Sequence, residues 1–225
     1  MEEKECMNVF DIVGPVMIGP SSSHTAGAVR IGKMAALLMR EPVQKAHILL
    51  HGSFAKTYRG HGTDKALVGG ILRMDPWDTR IRDSLELAKE RGIEVEFQTG
   101  EIENAHPNTA KITLTGIYGQ TVSLQGASVG GGNIVICEIN GMEVYFTGQN
   151  PTLIVLHQDM PGVIAQVTAV VSKHRANICN FRLNRQEKGG LAIMSIEMDN
   201  PFHESLLSQI ESLPYVVNTI LLKID

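Results

Sequence analysis

Cysteine is scarce in this 225-residue chain, and the three present, Cys6, Cys137 and Cys179, lie far apart. None stands in a Cys-x-x-Cys pair, which argues against a disulfide framework and against a zinc or iron–sulfur site made by this chain alone. A dominant charge is lacking too. Twenty basic against 24 acidic residues give a net charge of −4, with no electrostatic footprint for nucleic acid. No apolar run approaches the ~20 residues needed to cross a bilayer. The start, Met1-Glu2-Glu3-Lys4-Glu5, is acidic and has no apolar stretch of a secretory leader. A reducing cytoplasm fits these absences best. What remains, 43% hydrophobic and 20% charged residues, is ordinary for a globular protein of one large or two small domains.

The most informative stretch is Ile18-Gly19-Pro20-Ser21-Ser22-Ser23-His24-Thr25. Five adjacent polar side chains follow a Gly-Pro turn and precede an apolar helical pattern. A helix start directs free N–H groups forward and favours a negative group there. Ser23 is the expected N-cap, with Ser21, Ser22 and Thr25 as further hydroxyl donors. A plain cap with a polar loop is the bland alternative, but no cap requires three serines and a histidine.

Ile31, Met34, Ala35 and Leu38 recur at i, i+3, i+4 and i+7, predicting a helix over 24–40. A buried strand is expected over 43–50, then a polar stretch containing Gly60, His61 and Gly62. Asp64 is the expected cap of a helix to about 74, with Gly69-Gly70 marking close packing. A helix over 79–91 with Gly92 as C′ and a strand over 93–97 follow. Short β runs then occupy 109–115, 121–129, 134–139 and 142–147. Asn140-Gly141 reads as a type I′ hairpin turn, and Gly130-Gly131-Gly132 as a bulge or turn rather than a phosphate loop.

A second unit begins after Asn150-Pro151, giving domains over 1–149 and 150–225. Strand 153–157, a helix through His174, strands 177–186 and 191–198, a helix over 202–213 and strand 216–224 spell βαββαβ. That order makes a ferredoxin-like sheet with two helices on one face. The fold class is therefore α+β, a mixed α/β half followed by this unit. About 75 residues make a marginal core, so cover for the open sheet face and self-association are expected.

Asp159-x-Pro161-Gly162 after a strand, with Ala176-Asn177-Ile178 downstream, resembles the ACT family of amino-acid-binding regulatory domains. The resemblance implies an effector site beside Asp159, Pro161 and Gly162, and pairing of two such domains. A copy that only dimerises is the alternative. The amino-terminal half, through Gly19 to Thr25, Gly60-His61-Gly62-Thr63-Asp64 and Ser128-Val129-Gly130-Gly131-Gly132, resembles the iron–sulfur-dependent L-serine dehydratases, and the beta chain of their two-chain form. The resemblance implies conversion of L-serine to pyruvate and ammonia with a [4Fe–4S] cluster as Lewis acid. This chain lacks the family's helical segment and its cysteines, so the cluster is expected on a partner alpha subunit.

Such chemistry needs a base for the α-proton with a pKa near working pH, which imidazole supplies. His24 and His61, in the loops that match the family's motifs, are the expected catalytic pair, with the base left unassigned between them. Ser21, Ser22, Ser23 and Thr25 would hold the substrate carboxylate at the helix start. His47 reads as a core or sheet histidine and His51 as a supporting one. His106 falls in a loop, and His157, His174 and His203 read as structural or solvated. Cys137 and Cys179 read as small core residues. Two other classes stay open: a non-catalytic, serine-binding regulatory subunit, and a Ser/His hydrolase, which lacks a G-x-S-x-G elbow.

Overall fold

The computed structural model describes residues 17–19, 21–200 and 205–222. Cys6, Pro20 and His203 lie outside the described residues, as does the start of the helix expected over 202–213. Two compact units emerge: the described residues up to Thr121 with Gly126–Ile134, and Val122–Gln125 with the described residues from Val135 on. The units interleave between 121 and 135, and residues 135–149 group with the second.

In the first unit a π-helical turn, Ser22–Gly27, runs straight into α1, Ala28–Leu38. Ile31, Met34, Ala35 and Leu38 are all buried, as the spacing predicts. Strand β1, Val43–Leu50, leads into a short helix α2, Gly52–Thr57, where the sequence suggests only a polar stretch. Helix α3, Thr63–Ile71, packs on α1. A Cβ on Gly70 would collide with the Val29 carbonyl and approach the Lys33 amide to 2.7 Å, so glycine alone permits this crossing. Asp64 is not the cap of α3. Gly62, at φ 70°, holds that position, and Asp64 Oδ1 accepts from the Lys65 N–H instead.

A 3₁₀ turn, Thr79–Asp83, precedes α4, Ser84–Glu90. Gly92 closes α4 as C′: its N–H reaches Lys89 O at 3.0 Å, and the Ile93 N–H reaches Ala88 O at 2.9 Å. Strand β2, Glu94–Thr99, pairs in parallel with β1, matching Ile48 to Phe97. Strand β3, Thr109–Gly116, takes the other side of β1 antiparallel. Next come β4, Thr121–Gly130, and β5, Asn133–Ile139, joined around a glycine turn whose three residues all have positive φ.

In the second unit β5 continues through Asn140-Gly141 into β6, Met142–Phe146. Asn140 at φ 50° and Gly141 at φ 77° have the positive dihedrals that a type I′ turn requires. Strands β7 (Thr152–Gln158), β8 (Ile178–Arg185), β9 (Leu191–Met198) and β10 (Val216–Leu222) form an antiparallel sheet in the order β10-β7-β9-β8. Helices α5, Val163–Lys173, and α6, Ser205–Glu211, complete the βαββαβ order. Their apolar faces, Val163, Val167, Val171, Leu206 and Ile210, share one core with Leu153, Val155, Met194 and Ile196. On β9 the alternate residues Ile193, Ser195 and Glu197 are buried as well. Strand β6 packs against β8 and β9, so the chain itself supplies cover for the sheet. Cys179 departs from expectation: it sits exposed on edge strand β8, whereas Cys137 is half-buried.

Candidate active site

The polar string forms the π-turn at the head of α1, a wider turn than an α-helix and one often found at functional sites. Ser21, not Ser23, is the N-cap, because its backbone is the extended residue before the turn. Its Oγ accepts the His24 N–H at 3.2 Å, and its carbonyl accepts the Thr25 N–H at 2.9 Å. Ser22 and Ser23 ride half-buried on the same turn. Thr25 turns inward against Gly19, where a Cβ would crowd its side chain.

The structure brings His24 and His61 together. Their ring centroids are 4.9 Å apart at 72°, and the His24 ring also meets the Phe54 ring edge-on at 5.2 Å. His24 Nε2 lies 3.3 Å from Ser53 Oγ, and its Nδ1 lies 3.4 Å from Ser21 Oγ. A hydroxyl at each ring nitrogen orients the imidazole in either tautomer. Burial, and then the neighbouring His61, hold the His24 imidazole below its ordinary 6.5, which favours its neutral form. His61 is exposed, on the loop between α2 and α3. The pair therefore offers one sheltered imidazole and one open to solvent.

Ser53 and Phe54 belong to α2, which starts at the carboxyl end of β1. β1 pairs in parallel with β2, and the carboxyl ends of such strands are where α/β folds place ligands. That position was the available signal for Ser53, since its polar surroundings carry no helical period. Three further hydroxyls were not foreseen as a group. Thr25 Oγ1, Thr63 Oγ1 and Ser128 Oγ are buried and have no hydrogen-bond partner among the described residues. Ser128 sits against Gly27 of the π-turn, where a Cβ would overlap its Oγ. Arg30, one turn on, donates from Nη1 to the Gly132 carbonyl at 2.7 Å and so ties the triple-glycine turn to α1.

His51 is fixed elsewhere: its Nδ1 accepts the Ile102 N–H at 3.0 Å, with Glu101 3.3 Å away. His47 Nε2 lies 3.0 Å from Gln98 Oε1 across the β1–β2 pair, a sheet histidine.

In the second unit Asp159 is fully engaged. Its Oδ2 accepts from Arg185 Nη1 at 2.7 Å and from the Gly189 N–H at 3.1 Å. Those bonds, the Gly189 amide first and then Arg185, hold its carboxyl below the usual range. Pro161 is exposed, and Gly162 at φ 90° caps α5. Asp159 thus fastens the loop before α5 to the β8–β9 turn.

The first unit is a small α/β domain carrying a histidine pair, one member of it on a polar turn, joined to a ferredoxin-like unit of the ACT type. The family described as serine dehydratase beta chain matches residues 8–94, and the AHAS small subunit-like ACT domain matches 153–218. The chain is 44% identical to a probable L-serine dehydratase, beta chain, of Bacillus subtilis, over 93% of this chain and 95% of that one. It is 39% identical to the L-serine dehydratase, beta chain, of Peptoniphilus asaccharolyticus, over 90% and 92%. It is also 29% identical to a D-3-phosphoglycerate dehydrogenase of Bacillus subtilis, over 87% of this chain but 37% of that one. The chain belongs to the L-serine dehydratase beta-chain family.

Proposed function

We propose that the chain is the beta subunit of an L-serine ammonia-lyase, which converts L-serine to pyruvate and ammonia together with an alpha subunit. The observation that carries this reading is the His24–His61 pair, ring centroids 4.9 Å apart, with His24 on the turn that holds Ser22, Ser23 and Thr25 behind the Ser21 cap. Elimination from serine takes a proton from the α-carbon, and a neutral imidazole suits that step. His24, sheltered and oriented between two hydroxyls, and His61, open to solvent, are the candidates to accept this proton and to pass it to water. The π-turn's hydroxyls and N–H groups would orient the substrate carboxylate.

The described residues of this chain do not fit a [4Fe–4S] cluster. Such clusters are held by thiolates. Cys137 Sγ donates to the Gln125 carbonyl, Cys179 Sγ accepts from Asn150, and no three His, Cys, Asp or Glu side chains converge as metal ligands among the described residues. We therefore assign the cluster to the alpha subunit. Pairing of two beta chains through the ACT-type unit belongs to the same proposal.

The similarity to part of a D-3-phosphoglycerate dehydrogenase supports a second reading, a serine-binding regulatory subunit without a catalytic role. Pyruvate formation from L-serine by the purified chain, alone and with its alpha partner, tests the proposal. Activity should require both chains. Turnover by this chain alone, without iron, would refute the division of labour.

A further inference from the structure

Beyond the far end of α1 from the histidine pair, the first unit holds a cavity of about 380 Å³. Arg40, Arg73 and Arg91 line it, with one carboxylate, Glu41, and apolar side chains that include Met39 and Ile71. The carboxylate is already committed, since Glu41 Oε1 accepts the backbone N–H groups of Tyr118 at 3.2 Å and Gln120 at 2.8 Å. Arg73 and Arg91 against one engaged carboxylate give the cavity a cationic side, in a chain whose net charge is −4.

The placement of Arg73 is the second observation. It follows the C-cap of α3 at φ 63°. Its N–H reaches Gly70 O at 2.8 Å and the Met74 N–H reaches Gly69 O at 2.9 Å, the closure in which glycine is the usual residue. A side chain in this left-handed conformation is strained. The chain nevertheless keeps a guanidinium there. Among the described residues one of its donors is used, Nη2 on the Ala36 carbonyl at 3.2 Å. Its remaining N–H groups have no such assignment, and Arg91 lines the same cavity.

Guanidinium forks match carboxylates in shape and charge, and the volume falls within the roughly 300–1,000 Å³ of small-molecule sites. The apolar lining favours a ligand with a hydrocarbon body. We propose that this cavity binds a small aliphatic carboxylate, with its head on Arg73 and Arg91. The site is separate from the histidine pair and does not depend on the function assigned to it.

The test is an NMR titration of the full chain with hexanoate, hexanol and inorganic phosphate, following the arginine Nε–Hε signals. Hexanoate should give saturable shifts at Arg73 and Arg91, and hexanol none. Arg73→Gly retains a residue that favours the helix closure, so it should fold normally yet bind hexanoate roughly tenfold or more weakly. Arg91→Gln should weaken binding in the same way. Three results would overturn the site: no saturable shift with hexanoate, equal binding of hexanol, or wild-type affinity in the Arg73→Gly/Arg91→Gln double variant. The last would leave the arginines as helix-end caps only. Phosphate binding as tightly as hexanoate would overturn the aliphatic assignment.

Discussion

The two units differ in which buried polar side chains they leave unbonded. Around the π-turn, Thr25, Thr63 and Ser128 bury hydroxyls with no partner among the described residues, although an unbonded buried polar group is costly. In the ACT-type unit two carboxylates are engaged, although buried His157 likewise leaves Nε2 without a hydrogen-bond partner among the described residues. Asp159 holds Arg185 and Gly189, and buried Glu197 bonds the Thr147 N–H and hydroxyl and the Asn180 amide. These carboxylates in the second unit fasten structure. In the first, the unbonded hydroxyls lie near the histidines in the chain or against their turn: Thr25 follows His24, Thr63 is two residues after His61, and Ser128 sits against Gly27.

The contrast is open to attack by substitution, and the largest effect belongs to the second unit. Glu197→Ala leaves Asn180 and Thr147 without their acceptor and should lower unfolding stability by about 1.5–3 kcal/mol in denaturant titration. An unchanged midpoint would mean that these bonds fasten nothing. Asp159→Asn should bring a smaller fall in melting temperature, and one that depends on pH. The folded carboxyl titrates below its ordinary 3.8, so its contribution is present above that value and is lost as pH falls through the folded pKa. The gap between wild type and variant should therefore close in acid. A gap independent of pH would show that the charge plays no part. Thr63→Val should have the smallest effect. It replaces an unbonded buried hydroxyl by a methyl of the same shape, and stability should stay the same or rise. A clear loss would show that Thr63 is structural after all.

Much of this was legible in the amino-acid order. Apolar spacing marks α1 and α5, β-type runs mark β1 and β3–β10, and Asn140-Gly141 marks its hairpin. The βαββαβ order is readable because most of its elements have a buried stripe, as α5 and β9 do, with turn residues such as Gly189-Gly190 between them. The π-turn is not, since five consecutive polar residues carry no period and the backbone there is chosen by tertiary contacts such as Gly27 against Ser128. The same blindness moved the cap from Ser21 to Ser23 and hid α2. With α2 went Ser53 and Phe54, two of the groups around the His24 ring. His24 and His61 were nameable from their motifs, but 37 residues apart in sequence, their contact is a product of the fold. The packing of β6 on the second sheet is likewise a long-range contact that a strand pattern does not encode.

The central claim is that this pair performs chemistry. Its most direct test is L-serine turnover by the alpha–beta complex carrying His24→Ala or His61→Ala, each matched to wild type in melting temperature. The account predicts that each loses about 10²–10⁴-fold in kcat, the usual worth of a positioned acid or base. Near-normal turnover in both would contradict it.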